Sequence, residues 1–516
     1  MSQLKSEYYW VFSKMKVLIL APYCFPESIS STHLDENLNV AYSQAGIVRE
    51  IYAPFPCRGI DQETRDKYKK IRYEERFNGY QQIHRFPLYK EGVGTIARAL
   101  RYIVCMFLHF YYGVKSKDVD VMLSGSTPPT QGLLFGVLKS IKKVPFVYAL
   151  QDIFPDSLVG TGLAKKGGLL WKIGRVIENF TYRNADKIIV ISEDFKRNIM
   201  AKGVPEEKIE VIYNWVDEEA VVDVPRAENK LFDKYGLDRS KFYVTYNGNI
   251  GLTQNMDMLL EVARDLQEPA DGSEATSLQL RAVMNGSEAA MQRLRTVENG
   301  SEVASQQLGE VMNGSNSSND SEPLITPHNN SEPLITTHNN SEPLITPHNN
   351  SEPLKTIHNH SIHFVLVGEG AYKAEVEKRI KEQGITNVTL LPFQPYEDIS
   401  HVFSLGDVSL VISKPGVGAN SVPSKTWSIM SASRPVLANF DENELKTIIE
   451  DHHCGIFTKA GDKKAFKEAI LKLYHNPELC KEYGRNGRQF VMDNLTKEVG
   501  TRKYVDVIKS TYNAQH

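Results

Sequence analysis

The stretch Ser409-Leu-Val-Ile-Ser-Lys-Pro-Gly-Val-Gly-Ala-Asn-Ser-Val-Pro-Ser-Lys-Thr-Trp-Ser-Ile-Met-Ser-Ala-Ser-Arg-Pro-Val-Leu-Ala438 compresses a whole structural unit into one line. Val408 to Ile412 is a short apolar run that reads as a buried strand. Ser413 to Val422 is a Gly-, Ser- and Pro-rich loop, and Pro423-Ser424-Lys425 opens a segment with helical spacing at Trp427 and Met430. Arg434-Pro435 then leads into a second apolar run. Strand, small-residue loop and helix N-terminus together make an anion site, because free N–H groups and the positive dipole end face the same point. A nucleotide diphosphate is the anion this reading predicts.

The same pattern repeats outward in both directions. Upstream, Val17–Ala21, a helix from Asp35 to Gln44 and Val48–Tyr52 form a strand–helix–strand unit, followed by strands Val119–Leu123, Val144–Leu150, Lys187–Ile191 and Ile209–Ile212. A second series begins at Phe242–Tyr246 and continues through Phe364–Val367, Val388–Leu391, Val408–Ile412, Val436–Ala438 and Gly455–Thr458. Apolar strands alternating with amphipathic helices predict an α/β protein of two doubly wound parallel sheets.

Ligands of open α/β sheets sit beyond the strand C-termini, so the residues at those exits are the candidates. Ser126 and Thr127 follow the third strand of the first series, and Gln151-Asp152 follows the fourth. Asp152 reads as a helix cap or as a site carboxylate. In the second series Asn247-Gly-Asn249-Ile-Gly251 and Gly368-Glu369-Gly370 are Gly turns that let backbone approach a phosphate. Glu369 is placed to accept from ribose hydroxyls or to sit in solvent. The first strand lacks Gly-x-Gly-x-x-Gly, which argues against a dinucleotide there.

Composition narrows the class. The 516 residues carry a formal charge of −3, without the basic excess of a nucleic-acid binder. Five scattered cysteines suggest reduced thiols and a cytoplasmic chain, with no metal cluster. No run reaches the ~20 apolar residues of a bilayer span. Residues 98–117, an aromatic-rich helix with basic flanks, read either as a core helix or as one lying on a membrane surface.

The expected division is an extension at 1–14, a first domain at 15–222, a linker at 223–240 and a second domain at 241–494. A C-terminal helix at 495–516 is expected to pack back on the first domain. An insertion at 268–361 interrupts the second domain. In it Gly-Ser recurs at 272, 286, 300 and 314, and Ser-Glu-Pro-Leu at 321, 331, 341 and 351. Its composition predicts little core, and the expectation is a tolerated surface insertion.

In their order and spacing, Gln151-Asp-Ile-Phe-Pro-Asp156, Ala185-Asp-Lys-Ile-Ile-Val-Ile-Ser192, Asn214-Trp-Val-Asp217, Asn247-Gly-Asn-Ile-Gly251, Val367-Gly-Glu-Gly370, Val422-Pro-Ser-Lys425 and Arg434-Pro-Val436 resemble family-4 glycosyltransferases of the GT-B fold. Within them the chain is most similar to the WbuB-like transferases of O-antigen and capsule assembly. The resemblance implies a retaining, metal-independent hexosyltransferase with no cofactor. Its C-terminal domain would bind the donor and its N-terminal domain the acceptor. It assigns Asp152 and Lys425 to catalysis, Asn249, Gly251, Gly368, Glu369, Pro423, Ser424 and Lys425 to the donor, and Ser126 and Thr127 to the acceptor side. Subgroup similarity implies a UDP-linked N-acetylated deoxysugar such as N-acetyl-L-fucosamine, and an undecaprenyl diphosphate-linked glycan as acceptor at the inner face of the cell membrane.

Two departures stand out. Many members carry two Glu eight positions apart, where this chain has Asn420 and Ser428; a basic pair after the first donor-domain strand is replaced by Leu252-Thr-Gln-Asn255. Lys425 is then the remaining cation for a diphosphate. Alternatives of different class are a nucleotide-sugar 2-epimerase and a non-catalytic nucleotide-sugar-binding protein.

Overall fold

A computed structural model describes residues 14–27, 32–90, 95–160, 164–267, 361–418 and 422–515. The repeats, Asn420 and the first 13 residues lie outside them.

Two sheets form. The first has eight strands in the order β3-β4-β2-β1-β5-β6-β7-β8. They are β1 (Lys16–Leu20), β2 (Val48–Pro54), β3 (Tyr73–Arg76), β4 (Gln81–Phe86), β5 (Val121–Gly125), β6 (Phe146–Leu150), β7 (Lys187–Val190) and β8 (Ile209–Val211). The second has six in the order β11-β10-β9-β12-β13-β14. These are β9 (Phe242–Asn247), β10 (Ile362–Val367), β11 (Val388–Leu391), β12 (Val408–Ile412), β13 (Val436–Phe440) and β14 (Gly455–Lys459). All pairings are parallel except β3 with β4.

The predicted strands appear within a few residues of their expected bounds because parallel strands buried on both faces are continuous apolar runs. β6, β9, β10, β12 and β13 are buried along their whole length. The β3–β4 hairpin is an addition to the expected fold. Its strands, Tyr-Glu-Glu-Arg and Gln-Gln-Ile-His-Arg-Phe, are mostly polar and carry no apolar run. Its polar groups are matched in space instead: Arg85 pairs with Glu74 at 2.9 Å and Arg76 with Glu36 at 2.8 Å.

One correction concerns the domain seam. The second half of the expected linker, 223–240, contains a helix, Lys230–Tyr235, whose Leu231 and Phe232 are buried against Tyr243, Val365 and Val367. That part belongs to the second sheet's core. The chain passes between the sheets twice, along Tyr213–Val221 and again near Leu495. Val216 N–H donates to the Leu495 carbonyl at 3.1 Å where the two passes run side by side. The last helix, Lys497–Asn513, then packs on helix Thr32–Gln44. Trp215 meets Tyr504 edge-on at 5.8 Å. Gly500 permits that approach, since a Cβ there would stand 2.2 Å from the Trp215 ring.

The helix expected at 98–117 runs from Thr95 to Lys115. Among the described residues no helix is long and apolar enough to cross a membrane. The five cysteines are free thiols.

Candidate active site at the sheet exits

In the second sheet, β9 and β10 leave their edge almost in contact. Gly248 N–H donates to the Val367 carbonyl at 2.9 Å, and Ile250 N–H to the Glu369 carbonyl at 2.9 Å. Such closeness explains the glycines: a Cβ on Gly368 would lie 1.9 Å from the Gly248 oxygen, and one on Gly370 2.2 Å from the Ile250 oxygen. The β12 exit joins them through Lys414 N–H, which donates to the Thr253 carbonyl at 2.8 Å. Asp441, beyond β13, fixes this loop by accepting from Gly416 N–H at 2.9 Å and Gly418 N–H at 2.7 Å.

Lys425 begins the short helix Lys425–Ser431, and its side chain reaches back into the junction. Its Nζ lies 3.8 Å from the centre of the Tyr246 ring, and a Cβ on Gly248 would stand 3.1 Å from it. Lys425 is thus a half-buried ammonium resting on an aromatic face, with no carboxylate in salt-bridge contact among the described residues. Burial pushes its pKa down to about 7. A cation desolvated without a counter-ion is a poor structural element and a good receptor for an anion.

The other expected donor-side residues take less direct positions. Asn249 is exposed, and its carbonyl accepts from the Tyr246 hydroxyl at 2.7 Å. Gly251 N–H is engaged by Gln254 Oε1 at 3.1 Å, and Ile250 N–H by Glu369 as above. Those two amides, expected to be free for a phosphate, therefore have partners already. Pro423 and Ser424 supply carbonyls to Thr426 N–H at 2.9 Å and Trp427 N–H at 3.1 Å. Glu369 projects from the same edge, 58 % exposed, and pairs with Lys373 at 2.7 Å. Ser428, at the position of an expected acid, is half-buried on this helix.

At the first sheet, β5 and β6 exit side by side. The Ser126 hydroxyl, 3 % exposed, accepts from Gln151 N–H at 3.0 Å and Asp152 N–H at 3.2 Å, which fixes the turn that carries Asp152. Ser126 therefore holds the turn, while Thr127 next to it is exposed. Asp152 itself is exposed, yet neighbouring loop atoms desolvate its carboxyl and raise its pKa, against the pull of the Ser157 hydroxyl and Ile153 N–H. Gln151 is held by Asn214 Nδ2 at 2.8 Å.

The two halves are tied by groups the sequence did not mark. Helices Glu193–Ala201 and Glu444–Asp451 meet at their N-termini. Glu193 N–H donates to Glu444 Oε2 at 2.8 Å, and Glu444 N–H donates to Asp194 Oδ2 at 2.7 Å. Each helix thus offers a carboxylate to the other's unpaired amides and positive dipole end. The Tyr213 hydroxyl also donates to Glu444. Burial raises the Glu444 pKa, opposed by the Tyr213 bond. These partners lie some 230 to 250 positions apart in the chain, so no local pattern announces them. Asp441 and Lys414 were legible only as loop residues after a strand.

Comparison with known proteins follows this division. Residues 60–220 match the Glycosyltransferase Family 4 profile, and residues 326–490 match Glycosyl transferases group 1. The first segment contains Ser126, Thr127 and Asp152, and the second contains Gly368, Glu369 and Lys425. The chain is 28% identical over 184 residues to the probable glycosyltransferase WbjE of Pseudomonas aeruginosa, a match spanning 35% of this chain and 45% of that protein. It is 22% identical over 367 residues to the putative colanic acid biosynthesis glycosyl transferase WcaI of Escherichia coli K12, covering 70% of this chain and 67% of WcaI. The chain thus spans less than half the length of WbjE. The crystal structure of HepE from Anabaena in complex with UDP and glucose superposes with a TM-score of 0.57 at 14% identity, over 96% of this chain and all of HepE. That likeness bears on the fold. With two parallel sheets and a segment similar to family 4 preceding one similar to group 1, the chain has the GT-B fold and carries both glycosyltransferase-like segments in order.

Proposed function

We propose that this protein transfers a glycosyl group from a UDP-sugar to a lipid-linked glycan during assembly of a bacterial surface polysaccharide. The observation that carries the reading is Lys425: a cation at the junction of three strand exits, desolvated and with no carboxylate partner among the described residues. HepE, of the same fold, is described with UDP and glucose, and WcaI is described as a colanic acid biosynthesis glycosyl transferase. WbuB-like O-antigen and capsule transferases, with an undecaprenyl diphosphate-linked acceptor and an N-acetylated deoxysugar donor, are the subgroup the sequence motifs favour.

In this reading the bond between the anomeric carbon and the diphosphate oxygen breaks, and one to the acceptor oxygen forms on the same face of the sugar. Negative charge builds on the departing diphosphate. Lys425, protonated by the approach of that anion, lowers its energy, and a group fixed before the reaction needs no reorganisation during it. The acceptor proton passes to the departing phosphate. Asp152 orients the acceptor hydroxyl from the opposite sheet and steadies positive charge at the anomeric carbon. Glu369 would leave Lys373 to accept from the ribose. The proposal assigns the leaving-group charge to a side chain and assigns no metal.

The test is transfer of labelled sugar from a panel of UDP-sugars to extracted lipid-linked acceptor, by wild type and Lys425→Ala. Loss of transfer without a lowered melting temperature supports the reading. Wild-type kinetics in the variant refute the role of Lys425. Isomerisation of the donor without an acceptor would replace transferase with epimerase.

A further inference from the structure

Helix Thr95–Lys115 is built inside out. Its polar residues Arg101 and His109 are each 1 % exposed, turned toward the sheet, while Phe107 is 65 % exposed. Arg101 is held inside, donating to the Tyr89 carbonyl at 3.2 Å and to Cys57 Sγ at 3.4 Å. Burial lowers the His109 pKa to about 3, so the ring is neutral. On the outer side Leu100, Ile103, Phe107, Phe110 and Val114 form one stripe at helical spacing, and every one is exposed. A surface helix in water normally has the opposite arrangement.

The stripe does not end at this helix. Helix Thr130–Lys142 packs between it and helix Leu169–Asn184. Glycines bring the three close: a Cβ on Gly113 would meet Leu138 at 2.6 Å, and one on Gly136 would meet Phe180 at 2.6 Å. The outer sides of the neighbours continue the apolar face with Val137 and Ile141, then Ile173 and Val176, the last 69 % exposed.

Charge says what covers it. Residues 95–118, 130–143 and 164–184 together hold twelve Lys and Arg against two acids, in a chain of net charge −3. The three helices follow parallel strands and so run back along the sheet. Exposed Lys115, Lys117 and Lys143 therefore sit at one end of the face, and exposed Lys165 and Lys166 at the other. We propose that this three-helix face is a docking surface for an anionic bilayer, its aromatic and aliphatic stripe entering the headgroup boundary and its lysines contacting the lipid phosphates. The surface is wider than the single helix marked by sequence, and the proposal does not depend on the transfer reading, because binding is measured without turnover.

The experiment is flotation of the full chain with phosphatidylcholine vesicles, with or without about one third phosphatidylglycerol. Wild type should float with the anionic vesicles, bind about tenfold or more weakly to the neutral ones, and be released by high salt. Phe107→Ser and Val176→Ser, each outside the candidate active site, should each reduce binding severalfold with unchanged melting. Absence of wild-type binding, or equal binding by both variants, overturns the proposal. So does a concentration-dependent dimer in sedimentation that either substitution dissolves, which would make the face a contact with a second copy.

Discussion

Beyond β5 and β6 the desolvated ionisable group at the sheet exit is Asp152; beyond β9, β10 and β12 it is Lys425. Both groups are desolvated, with opposite consequences. Burial raises the Asp152 pKa and lowers that of Lys425, so each is drawn toward its neutral form. Each also sits on a turn fixed by others. Ser126 holds the Asp152 turn, and Gly248, Gly368 and Asp441 hold the loops around Lys425. The difference lies in partners: Asp152 receives hydrogen bonds from its own loop, whereas Lys425 rests on an aromatic ring. An anion arriving at the Lys425 side gains most, because there the charge has been left uncompensated.

The comparison can be broken most directly at Lys425. Lys425→Ala should lower kcat by about 10²- to 10³-fold, the usual effect of removing one preorganised charge-stabilising donor, measured by transfer assay with thermal melting as a control. The mirror change, Asp152→Asn, should cost about 10- to 100-fold in kcat if the carboxylate orients the acceptor. UDP affinity, measured by calorimetry, should stay at the wild-type value. Equal loss of UDP affinity in both variants would erase the distinction between the two exits.

A third test uses protonation. With its pKa down to about 7, unliganded Lys425 is largely neutral above that pH, and a bound diphosphate restores the proton. UDP binding at pH 8 should therefore take up close to one proton, seen as a dependence of binding heat on buffer ionisation. Lys425→Met should remove that uptake. The same group affects stability. Its folded pKa lies below the unfolded value of about 10.4, so the unfolded chain holds more protons between about pH 7 and 10 and the penalty shrinks as pH rises. Lys425→Met should raise the melting temperature more at pH 6 than at pH 9.

The smallest expected effect concerns the seam between the halves. Glu444→Ala leaves the Tyr213 hydroxyl and Glu193 N–H without their carboxylate. A loss of about 1–3 kcal/mol follows from unsatisfied buried donors, read by denaturant unfolding, with UDP affinity nearly unchanged. A large loss of UDP affinity would mean that the seam also shapes the donor side.

Much of the fold was legible because its signal is physical and local. A strand covered on both faces must be apolar throughout, so β6, β9, β10, β12 and β13 announce themselves. The β3–β4 hairpin does not, since its strands are held by ion pairs, one between the two strands and one to Glu36 far along the chain. In the linker, Leu231 and Phe232 are too few to show as a helix until their pocket beside Tyr243 is known. At the candidate site, Gly248 and Gly368 could be read as turn glycines, but the reasons they must be glycine are spatial: Gly368 presses on the Gly248 carbonyl, and Gly248 has a φ of +133° beside the Lys425 ammonium.

By itself, then, the sequence determined two parallel-sheet domains, the strand exits as the place for ligands, and Lys425 as the cation remaining where acids and a basic pair are absent. The first two follow from composition and spacing along the chain, the third from the family resemblance, which implies acids and a basic pair at those positions. Only the tertiary structure decided that Lys425 lies on Tyr246 without a counter-ion, that the Ile250 and Gly251 amides are occupied, that Glu444 joins the halves, and that an apolar face spans three helices. Each of these depends on what residues distant in sequence place around a group, and solvation and charge balance are set by neighbours in space.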